Sequence, residues 1–267
     1  MKRMITALLM VYSTLAVAAP TSPLLPLTPL SMPLPPGAPP QSDSAMEFSR
    51  VALTLKSDSA PVKILVNKPR GTVYWGGAGL NGPYIADQVE AFREVGILHI
   101  WIGQRTMTDF PDAGRSGTDL RYEGRSDDRS WLIDGMEKVP AEQFNLIGYS
   151  YGSLMAAQTA HVYATNGDIV DHLVLIASPI DSDFLESLRK NKNIKKIIII
   201  NLTDYGDPIF AGMSQLRITL SAIKVIMQDK QSGTTKGIGH FYYRPDTEEG
   251  RHRRRQLAAY LFRQGLR

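Results

Sequence analysis

The pattern of apolar and polar residues along the chain predicts an alternation of strands and helices. Short runs that are apolar, or that alternate apolar with polar residues, are typical of strands; they fall at residues 51–55, 62–66, 72–75, 97–102, 144–147, 172–177, 197–200 and 222–227. Apolar residues at helical spacing occur between several runs, at residues 83–95, 154–163 and from 247 onwards. Near-continuous apolar strands separated by helices indicate a mostly parallel sheet covered on both faces. The predicted fold class is therefore α/β and doubly wound.

The start of the chain has the pattern of a secretory signal. Residues 1–3 include two basic side chains, residues 4–17 are nearly all apolar or small, and Ala16-Val17-Ala18 matches the preference of signal peptidase. The apolar run is shorter than a typical membrane-spanning helix. We therefore expect residues 1–18 to be a cleaved signal peptide and the mature protein to be exported, either periplasmic or secreted.

The next segment is dense in proline and leucine, and residues 21–40 carry no charge. Proline at this density blocks helices and central strands and favours an extended chain. The sequence thus predicts a proline-rich tether at residues 19–46 and one folded domain at residues 47–267.

Composition limits the classes of partner. The chain has no cysteine and a formal net charge of +4, so an exported domain of this length relies on its apolar core rather than on disulfides. The basic cluster at residues 251–255 is explained most simply as a solvated helix face, with weak contact to anionic lipid as the alternative. The mild charge does not favour a nucleic-acid partner.

A Gly-x-Ser-x-Gly motif, centred on Ser150, lies between a predicted strand and a predicted helix. A serine hydroxyl is a poor nucleophile unless it is exposed and close to a base and to oxyanion donors, and a tight strand-to-helix turn provides this. Gly148 and Gly152 supply the small residues that such a turn needs. The motif predicts Ser150 as a nucleophile; the alternative is a glycine-rich turn whose serine only caps the helix.

The sequence indicates one favoured candidate for the catalytic base and two candidates for the acid. Catalytic groups of such sheets sit at the carboxyl ends of strands, and among the five histidines only His240 follows the last predicted strand and precedes the final helix. Asp204 and Asp207 both follow the predicted strand at residues 197–200. Both remain candidates for the acid that orients His240.

The motif and the order of elements resemble the α/β-hydrolase superfamily over residues 47–267, without room for a large cap domain. The resemblance implies a Ser150-His240-Asp triad, in the chain order nucleophile, acid, histidine. The segment Gly206-Asp207-Pro208-Ile209 is similar to the acid loop of cutinase-like esterases, which favours Asp207 over Asp204. By similarity with the glycine loop of lipases, the Gly77 amide is the expected partner of the Tyr151 amide in the oxyanion hole, with the Ala78 amide as the alternative.

The expected activity is that of an exported serine esterase or lipase acting on a small-molecule or lipid ester, with no cofactor and no metal. Acyl transfer on the same fold, or a non-catalytic envelope-binding protein, are the alternatives. Residues 103–143 form a long polar stretch with several arginines. This stretch is either a small lid over the site or a solvated loop whose arginines pair with nearby aspartates.

Overall fold

The computed structural model describes residues 50–53, 68–77, 82–105, 139–233 and 235–267. Within them lies a six-stranded sheet in the order β1-β3-β2-β4-β5-β6, and every pair of neighbouring strands is parallel. The strands are β1 (Arg50–Leu53), β2 (Gly71–Trp75), β3 (Ile100–Arg105), β4 (Phe144–Tyr149), β5 (Val170–Ile176) and β6 (Ile194–Ile200). The helices are α1 (Pro83–Glu94), α2 (Tyr151–Thr165), α3 (Ser182–Lys190), α4 (Gln215–Ser232) and α5 (Glu248–Arg263).

The sheet has an apolar core on each face, because successive side chains of a strand point in opposite directions. On one face, Leu146 of β4 packs in a core that includes residues of α2 and α3. On the other face, Ile147 packs in a core that includes residues of α1 and α5. Strands β4 and β5 are thus buried on both sides, which explains their continuous apolar sequence. The predicted doubly wound α/β fold is confirmed.

Most predicted elements are present with shifted ends, but one is of the wrong type. The predicted strand at residues 222–227 lies inside α4 (Gln215–Ser232). Its isoleucines and valine favour a strand locally, but no glycine or proline interrupts the 18 residues of α4, and this length is typical of a helix. His240 therefore follows a helix and not a strand.

The exposed side of α4 explains why its periodicity is hard to read. Leu216, Leu220, Ile223 and Met227 are all at least half exposed, while Ile218 is among the few buried residues of the helix. Apolar residues on both sides of a helix hide the amphipathic pattern.

Several predicted features lie outside the described residues. These are the signal peptide, the proline-rich tether, the strand at residues 62–66 and most of the 103–143 segment. Among the helices of the described residues, none combines the length and the apolar character needed to cross a membrane.

Candidate active site

Ser150 occupies a strained turn between β4 and α2. Its backbone angles are φ 55° and ψ −123°, a region that residues with a side chain rarely adopt. Its N–H donates to the carbonyl of Ile176 at the end of β5, with 2.8 Å between N and O, and its own carbonyl accepts from the N–H of Ser153 at 3.0 Å. These contacts hold the serine at the carboxyl edge of the sheet with its side chain only partly buried.

The glycines on either side of Ser150 are required by close backbone contacts. A Cβ atom on Gly148 would lie 2.2 Å from the carbonyl oxygen of Gly152, and one on Gly152 would lie 2.2 Å from the carbonyl oxygen of Gly76. Real Cβ atoms do not approach backbone so closely, so even alanine would force the turn apart. The expectation that this turn needs glycine at both positions is confirmed.

His240 lies beside Ser150 in a short 3-10 turn, Gly239–Phe241. Its Nε2 is 2.6 Å from Ser150 Oγ, and the residue is almost completely buried. The Tyr149 hydroxyl donates to the His240 carbonyl, and the two rings stack with their centroids 6.3 Å apart. The histidine is therefore held from its backbone and from its ring.

Asp207 contacts the other nitrogen of the imidazole. His240 Nδ1 donates to Asp207 Oδ2 at 2.9 Å, and Oδ1 of the same carboxylate accepts from the Ile209 N–H at 2.9 Å. The Asp207 side chain is fully buried. Because Nδ1 carries the proton that it donates, Nε2 is left to accept from the Ser150 hydroxyl.

Asp204, the alternative acid, lies in the 3-10 turn Thr203–Tyr205 and is exposed to solvent. The chain reverses direction after it through Gly206, whose φ of 89° favours glycine. Asp207 then hydrogen-bonds through its N–H to the Leu202 carbonyl at 3.0 Å. The turn brings Asp207, and not Asp204, to His240.

Gln228 on α4 connects the two loops that carry Asp207 and His240. Its Oε1 accepts from the His240 N–H at 3.1 Å, and its Nε2 donates to the Gly206 carbonyl at 2.7 Å. Gly239 leaves room for this amide, since a Cβ at residue 239 would lie 2.5 Å from both its terminal atoms. The sequence analysis missed Gln228, because nothing local marks an amide on a helix as a bridge.

Both predicted oxyanion residues border Ser150. Tyr151 is the first residue of α2, and the first amides of a helix point out of its N-terminal end, where anions bind. Gly77 follows β2, and a Cβ on it would lie 3.6 Å from Ser150 Cβ. The Gly77 N–H donates to the Tyr84 hydroxyl, with 2.7 Å between N and O.

The comparisons agree with this architecture. A family model described as the alpha/beta hydrolase fold matches residues 106–197. Over these residues the chain is similar to the α/β-hydrolase family. No curated protein and no solved structure matches the chain.

The family match covers only part of the candidate site. Residues 106–197 include β4, Ser150, α2 and β5 but end before Asp207 and His240. The contacts of Asp207 and His240 therefore rest on the structure alone.

Tyr149 was not singled out from the sequence, although it directly precedes Ser150. Burial raises the pKa of its phenol well above the usual value, and the nearby Tyr84, Tyr74 and Asp207 raise it further. The phenol therefore stays neutral and keeps the proton that it donates to the His240 carbonyl. This donor helps to hold the His240 imidazole in place.

One other histidine, His172, lies away from this cluster. His172, near the start of β5, contacts the Asn145 side-chain oxygen through Nδ1 at 2.8 Å. Parallel strands begin at the edge of the sheet opposite to Ser150, so His172 is remote from the nucleophile. Within the described part of the chain, no group of three or more His, Cys, Asp or Glu side chains is arranged to hold a metal ion.

Proposed function

We propose that this protein is a serine hydrolase that cleaves carboxylic esters through an acyl-enzyme. The observation that carries the proposal is the continuous series of contacts from Asp207 through His240 to Ser150, at 2.9 Å and 2.6 Å. A buried carboxylate, an oriented imidazole and a hydroxyl in this order form the arrangement that activates serine for acyl transfer. The α/β-hydrolase fold supports the same class of reaction.

In the first step, Ser150 Oγ attacks the ester carbonyl while His240 Nε2 takes the hydroxyl proton. The imidazolium that forms is stabilised by the Asp207 carboxylate, which stays ionised. The negative charge on the carbonyl oxygen develops beside Gly77 and the amino end of α2. When the tetrahedral intermediate collapses, the bond to the alcohol breaks and His240 returns the proton to the leaving oxygen.

In the second step, water replaces the alcohol. His240 takes a proton from the water, the hydroxide attacks the acyl carbonyl, and the proton then returns to Ser150 Oγ as the carboxylic acid leaves. The same imidazole thus acts first as base and then as acid in each half of the cycle. The substrate class that we propose is a small-molecule or lipid ester, and the signal-like N-terminus supports action outside the cytoplasm.

The test is Ser150→Ala with p-nitrophenyl acetate as substrate and a fluorophosphonate as probe. Loss of a triad nucleophile removes about 10⁶ in kcat, so we expect no measurable turnover and no labelling, with an unchanged melting temperature. Ser182→Ala is the matched control, because Ser182 is exposed at the start of α3. Turnover that survives in Ser150→Ala would contradict the proposal, as would wild-type protein that neither turns over esters nor accepts the probe.

A further inference from the structure

We propose that the Tyr84 hydroxyl donates a hydrogen bond to the oxyanion and that the Gly77 amide acts through this hydroxyl. The inference rests on the proposed function and names a side chain for one half of its oxyanion hole. It changes the expectation from the sequence, in which the Gly77 N–H contacts the oxyanion directly.

The hydroxyl of Tyr84 is held in a defined position. Tyr84 lies in the first turn of α1 and is almost fully buried. Its ring packs edge-on against the ring of Tyr149, with 6.0 Å between centroids and 86° between planes. Its Oη accepts from the Gly77 N–H at 2.7 Å, so both ends of the side chain are constrained.

This position is next to the nucleophile. A Cβ atom built on Gly77 would lie 3.2 Å from Tyr84 Oη and 3.6 Å from Ser150 Cβ. The Tyr84 hydroxyl and Ser150 thus flank the same glycine. An oxygen of a substrate attacked by Ser150 would have the phenol as a neighbour.

The Tyr84 hydroxyl can donate a hydrogen bond. A phenol both accepts and donates; Gly77 uses the accepting side of Tyr84. Among the residues that the structure describes, no hydrogen-bond acceptor is found for the O–H. Within those residues the O–H is left to find an acceptor, and the developing oxyanion is one that arises at this place.

The phenol stays protonated and is polarised in the right direction. Burial raises the pKa of Tyr84, and this outweighs the opposite effects of the Gly77 hydrogen bond and of Arg244 and Arg254. The N–H of Gly77 draws electron density from Oη, which strengthens the O–H as a donor. Gly77 thereby contributes to oxyanion binding without touching the oxyanion, and the Tyr151 amide supplies the second donor.

Tyr84→Phe tests the inference, because it removes the hydroxyl and keeps the ring. Loss of one oxyanion donor lowers kcat by about 10²–10³, and we expect this loss for p-nitrophenyl acetate with KM nearly unchanged. A trifluoromethyl ketone that forms a tetrahedral adduct with Ser150 should bind more weakly by a similar factor. Tyr74→Phe is the matched control, because Tyr74 is a buried tyrosine in the same core and should keep its kcat.

The outcomes separate this inference from the proposed function. Full activity in Tyr84→Phe, with Ser150→Ala inactive, would overturn the role of Tyr84 and leave the serine mechanism in place. A higher kcat in Tyr84→Phe would also overturn it, because the hydroxyl would then block the oxyanion position. Activity in Ser150→Ala would instead overturn the mechanism itself.

A second measurement keeps the inference testable if Tyr84→Phe fails to fold. Replacement of Tyr84 alone by 3,5-difluorotyrosine keeps the ring and the hydroxyl but lowers the phenol pKa. If the protonated phenol is the donor, the pH at which kcat falls on the alkaline side moves down. An alkaline limb that does not move would show that the phenol has no part in the reaction.

Discussion

Replacement of Asp207 by asparagine gives the sharpest test of the triad. The change is isosteric: the asparagine oxygen can still accept from the Ile209 N–H, as Asp207 Oδ1 does at 2.9 Å. The atom that faces His240 Nδ1 becomes an NH₂ group, which donates. Nδ1 must then act as acceptor, so the proton moves to Nε2 and the imidazole can no longer take the proton of Ser150.

The expected loss follows from this wrong tautomer. An asparagine in place of a triad aspartate lowers kcat by roughly 10⁴, which corresponds to about 5 kcal/mol of transition-state stabilisation. The cost in folding is smaller, because every buried polar atom keeps a partner; we expect about 1 kcal/mol in the free energy of unfolding. Activity and stability should therefore separate clearly.

The assay is kcat for p-nitrophenyl acetate together with the midpoint of urea unfolding. Asp204→Asn is the matched control, since Asp204 is exposed and lies three residues before the acid; we expect wild-type kcat and a change of less than about 0.5 kcal/mol. A large loss in Asp204→Asn, with Asp207→Asn active, would transfer the role to Asp204. If neither variant loses more than tenfold, the reasoning from the tautomer is wrong.

Three further predictions follow from particular contacts. Gly152→Ala should destabilise the fold by roughly 3 kcal/mol or more, because its Cβ would lie 2.2 Å from a carbonyl oxygen. Gly167→Ala is the control: its Cβ would have no atom within 4 Å, so it should cost about 1 kcal/mol for its positive φ. Equal losses of unfolding free energy in urea would refute the steric argument. Gln228→Ala should lower kcat about tenfold without changing KM. Gln228→Glu keeps an oxygen that accepts from the His240 N–H, so it should recover part of the lost kcat. Unchanged kcat in Gln228→Ala would exclude a positioning role. Burial, and secondarily Lys196, lowers the pKa of His172 from 6.5, so the folded state favours neutral His172 and loses stability as the pH falls below about 6.5. His172→Gln should therefore reduce the fall in unfolding free energy between pH 7.5 and about 5.5. Parallel curves of unfolding free energy against pH for the variant and the wild type would contradict this.

The nucleophile turn is the feature that the sequence predicts best, because its requirements are local. Gly148, Ser150 and Gly152 lie within five residues, and the contacts that demand glycine are made by the turn itself and by the end of β2. The parallel sheet is predictable for a similar reason, since strands buried on both faces are apolar throughout.

Which of the two aspartates reaches His240 depends on the path of the chain in three dimensions. Asp204 and Asp207 follow the end of β6 by four and seven residues, and the left-handed turn at Gly206 lies between them. The resemblance to an esterase acid loop favours Asp207, but the residues alone leave both open.

Contacts between distant segments are beyond what sequence patterns reveal. Tyr84 has the spacing of an ordinary core residue of α1, and Gln228 that of a solvated one on α4. Each acquires its place at the site only when separate elements meet: Tyr84 through Gly77, and Gln228 through Gly206 and His240. Neither residue type carries a local signature of such a role.

The wrong prediction of a strand at residues 222–227 and the position of His240 beside Ser150 have a common physical explanation. The base was expected at the end of a strand, where the sheet itself would position it. In its place, α4 positions the histidine through one amide, because Gln228 bonds the His240 N–H at 3.1 Å and the Gly206 carbonyl at 2.7 Å. This single side chain connects the loop of the acid with the loop of the base. A helix can therefore take over the positioning task of a strand, provided that one of its side chains reaches both loops and that Gly239 leaves the space for it.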